Sequence, residues 1–396
     1  MHCGMRLKSN IVTMGLMLGI ATTSVLASAQ VKNDDAEVKL GRDGAAETEK
    51  ELKIVADPAL NARVTKIGQD LAAVANVTEV PAIWGDSTVK KFVYSFKIVE
   101  DKDVNAFSLP GGFIYVNKGL LDYVHSDDEL AGVLAHEIAH AAHHHMVKLL
   151  AIQRKMQIPT LIAAIGAAAL SKDHADSGMK ALVGAQLYMT AKLNTYGTEA
   201  EKDADHAGML YMVKTKYSPV GLLTFMERLA RDEQKSPEID YGIYRNHPPS
   251  PDRARSALTE LADLKVAVNR RDADPGLRAT AAMGTGPNAT FAEVKMYKTV
   301  VARFSDDGAD KALDRANQLA ERMNRLFDQG LQMYEVRISA DKTRIIGRQE
   351  VLVTFKDADA VTQKSTVPQL SQSVLDAIRN LLWQDQFNRP VGRLQD

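Results

Sequence analysis

The sequence is short of cysteine. Cys3 is the only one in 396 residues, so no disulfide framework is available. A chain of this length does not need one, because it can bury a core of sufficient size. An excess of either charge is also lacking. Formal net charge is −1, and no run of Lys and Arg forms a basic stripe, which removes the electrostatic footprint of a nucleic-acid binder. Long apolar runs are scarce. Ile158–Leu170 is Ala-rich and too short to cross a bilayer comfortably, so it is expected as a buried helix or a lid, with a peripheral membrane-surface contact left open. No internal repeat of tetratricopeptide or similar period is visible.

What is present is ordinary globular material, with 45% apolar and 25% charged residues, and the length suggests two domains. The first 29 residues read as a signal peptide. Arg6 and Lys8 give a basic start, Ile11–Leu26 is mostly apolar, and Ala27-Ser28-Ala29 fits a small-x-small cleavage site. Export and a periplasmic location are the expectation. Cys3 lies upstream of the apolar run, badly placed for a lipoprotein, and cleavage would remove it.

Residues 30–265 are expected to form one domain. Asp57 and Pro58 open a helix along which Leu60, Val64, Ile67, Leu71 and Val74 recur at steps of three and four. Val89–Val99 and Phe113–Val116 read as strands, the second introduced by Pro110-Gly111-Gly112. Ser126-Asp127-Asp128-Glu129 is a capping box for a helix to about Leu150. Further helices are expected over Glu199–Val213 and Pro219–Ala230. Turn signals mark 266–291 as a linker. Beyond it, 292–396 reads as a smaller α+β domain with strands Met296–Phe304, Gln332–Ile338 and Arg344–Phe355 and helices Ala309–Phe327 and Val367–Trp383.

The chemistry is concentrated at His136-Glu137-Ile138-Ala139-His140. Two histidines four apart project from one helix face and suit two corners of a tetrahedral zinc site, while Glu137 can reach a water at the metal without occupying it. A third ligand is required. Ten residues after His136 stands Met146, so the three-histidine variant of this motif fails. His143, His144 and His145 are expected at the surface or behind the ligands. The third ligand must then come from a second helix. Glu201 is the best candidate, with Asp205 four residues on to accept a hydrogen bond from a ligand imidazole. Glu199, Asp203 and His206 compete with it.

Taken together, His136–His140, Glu201-x-x-Ala204-Asp205, His247-Pro248-Pro249 and Arg253 resemble peptidase family M48, over roughly Asp57–Arg255. The Asn105-Ala106-Phe107 strand before Pro110-Gly111-Gly112 is similar to the strand preceding the zinc helix in that family. The resemblance implies an α+β, mainly helical gluzincin domain with a small sheet, one Zn2+ per chain, and Glu201 as the third ligand beside His136 and His140. Gly197-Thr198 stands where the family often has Ser-Arg. Glu137 is expected as the general base, with His247, and behind it Tyr196 and Arg253, as donors to the oxyanion. A histidine matching His247 can instead sit on the zinc in relatives. Asn105, Ala106 and Phe107 would pair with an extended substrate.

The expected function is cleavage of unfolded or misassembled envelope proteins. The competing expectation is a protease-fold chaperone or scaffold in which proteolysis is minor or regulated.

Overall fold

The computed structural model describes residues 35–156, 183–190, 196–235, 251–285 and 290–387. Ile158–Leu170 and His247 lie outside them. The fold is α+β and mainly helical, as expected.

Helix α1 (Ala36–Glu51) starts the described chain, capped by Asp35. Helix α2 (Pro58–Ala75) has Asp57 accepting from the N–H groups of Ala59 and Leu60, with Pro58 in its first turn. Its buried face is Val64, Ile67 and Leu71. A small sheet follows: β1 (Ser95–Val99), β2 (Ala106–Leu109) and β3 (Phe113–Asn117), in the order β1-β3-β2. The β1–β3 pair is parallel and the β2–β3 pair antiparallel, which leaves β2 at an edge. The expected strand from Val89 begins only at Ser95. Asn76 explains the difference: its side-chain amide pairs with both backbone groups of Phe92, and Gln69 takes the carbonyl of Tyr94. Side chains of α2 thus replace a strand partner.

Short helix α3 (Lys118–Tyr123) leads to α4 (Asp127–Ala142). Ser126 Oγ accepts from Glu129 N–H at 3.1 Å, but the Glu129 carboxylate reaches one residue further back, to His125 N–H. All residues from Glu129 to Ala141 are buried, the mark of a helix surrounded by other elements. The helix was expected to run to about Leu150. It ends at Ala142, His144 takes φ +56°, and a separate helix α5 (His145–Met156) follows.

Residues 183–190 form α6. Helices α7 (Thr198–Val213) and α8 (Val220–Lys235) pack against α4, and α9 (Pro251–Asp263) follows. Gly208 makes the α4–α7 contact close: a Cβ there would stand 3.1 Å from the His136 backbone nitrogen. The main core of this part joins α2, β1, β3, α4, α7, α8 and α9.

The stretch expected as a linker is built structure in part. It carries helix α10 (Arg270–Ala273) and strand β4 (Ala279–Met283). Strand β4 pairs with β5 (Phe291–Met296), and β5 with β6 (Thr299–Ser305), as an antiparallel meander. Helix α11 (Ala312–Asp328) packs on that sheet. A second meander, β7 (Val336–Ile338), β8 (Arg344–Gly347) and β9 (Glu350–Thr354), replaces the two strands expected there, with Arg348 at φ +54° turning β8 into β9. The short helix α12 (Asp357–Thr362) packs against β6 and helix α13 (Val367–Phe387), and α13 completes a second core. Arg271 ties the cores together from a fully buried position, reaching Asp328 at 2.5 Å and Asp385 at 2.6 Å. Among the described residues no helix is long and apolar enough to cross a membrane.

Candidate metal centre

Helical spacing puts His136 and His140 on one face of α4, with ring centroids 4.6 Å apart and Nε2 atoms 3.0 Å apart. Helix α7 lays Glu201 against both. One carboxylate oxygen is 3.4 Å from His136 Nε2 and the other 3.5 Å from His140 Nε2. Zinc bonds to nitrogen and oxygen of about 2.0–2.1 Å in a tetrahedron put neighbouring ligand atoms about 3.3–3.4 Å apart. The donor set and its spacing therefore fit a tetrahedral cation with a position left for water.

One turn further along α7, Asp205 Oδ1 accepts from His136 Nδ1 at 2.9 Å. Arg253 of α9 grips Asp205 with two contacts of 2.7 Å and reaches Glu201 at 3.1 Å. Burial works against every charge here. It presses the His140 pKa down to about 3. At His136 burial also opposes protonation, but the Asp205 and Glu201 carboxylates outweigh it and raise the pKa. Asp205 is held below the usual carboxylate range because Arg253, and after it His136, overcome the cost of burial. Glu137 is buried beside His136, close enough for its charge to act on Tyr196 and Arg253.

The structure thus brings together His136, Glu137, His140, Glu201, Asp205 and Arg253. The competitors for the third ligand go elsewhere. Glu199 is exposed, His206 bonds Glu260 at 2.6 Å, and Asp203 faces His143 and His145. Asn105, Ala106 and Phe107 are all buried, and the Phe107 ring stacks on Tyr115 with 5.0 Å between centroids.

Two places were open to the histidines after the motif, the surface or behind the ligands. None is at the surface: His143, His144 and His145 are all buried. His145 Nδ1 stands 2.9 Å from His140 Nδ1, directly behind a candidate ligand. Helical spacing hid this contact, because residues five apart do not share a helix face and only the break at His144 folds His145 back. Tyr196, stacked on His140 with centroids 4.3 Å apart, frames the same ring from the other chain segment. Burial, with the nearby Glu137 and Glu201 charges, keeps its phenol protonated.

A model of Peptidase family M48 matches residues 58–261. The chain is 26% identical over 189 residues to the Beta-barrel assembly-enhancing protease of Escherichia coli K12, a match covering 47% of this chain and 36% of the relative. It is 29% identical over 186 residues to Mitochondrial metalloendopeptidase OMA1 of Schizosaccharomyces pombe, covering 47% of this chain and 51% of that one. Similarity to Metalloprotease YcaL of Escherichia coli K12 is 25% over 261 residues, covering 64% of this chain and 91% of YcaL. The chain spans well under half the length of the Beta-barrel assembly-enhancing proteases it matches.

Proposed function

The chain belongs to peptidase family M48, and from that premise we propose that it is a zinc-dependent endopeptidase acting on unfolded or misassembled polypeptides of the bacterial envelope. In this reading His136, His140 and Glu201 hold one Zn2+, and Asp205 and Arg253 keep those ligands in place. The observation that carries it is the meeting of two imidazole nitrogens and a carboxylate from two helices, 3.0–3.5 Å apart.

Zinc bound there supplies a Lewis acid that polarises the scissile carbonyl and acidifies the attacking water. Glu137 takes the proton from that water and returns it to the leaving amine. Asp205 accepts from His136 Nδ1 and so leaves the Nε2 lone pair for the metal. The oxyanion needs a further donor. His247 is the first choice on sequence. Tyr196 is the second, since its ring lies on His140 and its phenol stays protonated. A histidine at position 247 can alternatively cover the metal and hold the enzyme quiet.

Substrate would add to the edge of β2 that does not pair with β3, next to Asn105, Ala106 and Phe107. Edge pairing reads backbone, so it selects extended and loosely folded chains. The name of the Escherichia coli Beta-barrel assembly-enhancing protease supports envelope proteins as the substrate class, and the basic, then apolar first 29 residues support a periplasmic location.

Metal analysis of the purified chain tests the reading. About one zinc per chain is expected for the wild type, and little for a folded Glu201→Ala variant. A folded wild-type protein that takes up no zinc, even when it is supplied, sinks the proposal.

A further inference from the structure

A second group of metal-binding side chains lies beside the first. His143, His145 and Asp203 are buried together, with their ligand-type atoms within 4.8 Å of one another. On residue types alone it is a second ion site. Counting protons gives it a different role.

His145 Nε2 is 2.8 Å from the carbonyl oxygen of Trp84 and 2.9 Å from Asp203 Oδ2. A carbonyl oxygen only accepts, so His145 Nε2 carries the proton. In a neutral imidazole the other nitrogen is then a lone pair. His145 Nδ1 must therefore accept across its 2.9 Å contact with His140 Nδ1, and the donated proton belongs to His140. That fixes His140 with a bare Nε2, aimed at His136 Nε2 and Glu201. His136 is fixed likewise by Asp205.

Asp203 is used up in the same network. Its Oδ1 accepts from the backbone N–H groups of Ile83 and Trp84, and its Oδ2 from His145 and, at 2.5 Å, His143. The loop that presents Trp84 is shaped to fit. Gly85 has φ +115°, and a Cβ there would stand 2.4 Å from the His143 carbonyl and 2.7 Å from the His145 ring. The next residue, Asp86, donates its N–H to that carbonyl at 3.0 Å.

The two groups cannot both hold an ion. An ion on His145 Nε2 would move the proton to His145 Nδ1. His140 would then have to accept at Nδ1 and carry its own proton on Nε2, which closes the first site. We propose that His145, oriented by Asp203 and the Trp84 carbonyl, is a positioning residue that sets the tautomer of His140, and that the second group binds protons and no metal. This rests on His140 being a ligand, as proposed above.

The test uses the full chain. Nitrogen-15 correlation spectra of the histidine side chains are expected to show His140 with its proton on Nδ1 and His145 with its proton on Nε2. Zinc titration is expected to saturate at one equivalent. In His145→Phe, zinc affinity measured against a competing chelator is expected to fall about 10–100-fold. His145→Asn restores an acceptor where Nδ1 was and is expected to recover most of that loss, which a role in packing alone would not do. Asp203→Asn, judged by the same His140 resonances, covers the case in which His145→Phe does not fold. A second zinc equivalent that perturbs His143 and His145 overturns the proposal. So does a folded His145→Phe with wild-type affinity, or a proton on His140 Nε2. If the wild type takes no zinc, the functional reading fails by itself, and the relay is judged on the His140 tautomer in the metal-free chain.

Discussion

Two buried polar clusters of this chain are built on opposite accounts of donors and acceptors. At the junction of the two cores every carboxylate meets a guanidinium. Arg228 reaches Glu129 and Asp274, Arg270 pairs twice with Glu227 at 2.8 Å, and Arg271 reaches Asp328 and Asp385. At the candidate metal centre the Nε2 atoms of His136 and His140 and the Glu201 carboxylate turn acceptors toward one point. The charges of the junction are matched without a ligand, whereas the centre calls for a cation. Variants in the first cluster should therefore cost stability and spare chemistry. Variants in the second should do the reverse.

The sharpest break of that contrast would come from Glu137→Gln. The amide keeps the shape of the side chain and cannot take a proton from water. Cleavage of an unfolded polypeptide is expected to fall by about 10²–10⁴-fold. Zinc content and melting temperature are expected to stay at the wild-type level. Cleavage at the wild-type rate would remove Glu137 as the general base, whereas lost cleavage with an unchanged cellular phenotype would favour the scaffold reading.

Arg271→Leu probes the other side. It leaves two buried carboxylates without their guanidinium, and loss of one partner from a buried ion pair costs about 3–5 kcal/mol. Denaturant unfolding should show a loss of that order, while cleavage per folded molecule stays close to wild type. A large fall in kcat of the folded variant would mean that the second core acts on the metal centre, and the division of labour would be gone. Arg253→Met stands between the two cases. Arg253 steadies Asp205 and Glu201 together, so the metal-free protein should lose more stability than the zinc-loaded one, in which a cation faces Glu201. Melting with and without zinc reads that difference.

The same contrast explains which features were legible in the sequence. Helical periodicity and caps are local, so α2, α4 and α7 could be read from Asp57-Pro58, from Ser126 to Glu129, and from the four-residue steps His136–His140 and Glu201–Asp205. Features that depend on distant partners were not. Nothing near Phe92 announces that Asn76 will occupy its backbone groups and postpone β1. Strand β4 is Ala-Thr-Ala-Ala-Met beside turn residues, and only its pairing with β5 makes it a strand. The left-handed residue that ends α4 is a histidine, where a glycine would have flagged the break. Without that break His145 reads as one more helical residue, and its contact with His140 is invisible.

Adjacent histidines sharpen the comparison at its smallest scale. His145 is placed to carry one proton and His144 to carry two. His144 Nδ1 faces Glu37 at 2.7 Å, and its Nε2 faces the carbonyl oxygen of Thr88 at 3.1 Å, so both neighbours accept. Burial opposes the charge on His144, but the bond to Glu37 outweighs it and raises the pKa. Asp86 lies close enough to feel that charge, and Lys90, 3.0 Å from Glu37, works against it. The sign follows from linkage. A raised histidine pKa gives stabilisation that is full below the unfolded value of about 6.5 and is lost as pH rises through the folded value. The wild type should thus lead His144→Gln in melting temperature by most near about pH 5.5 and by least near about pH 8.5. A gap that widens with pH would mean that His144 is held neutral and that Glu37 bonds it as a simple acceptor. The same pH series on His145→Asn should lack this trend, because a relay that passes a single proton gains nothing from a second.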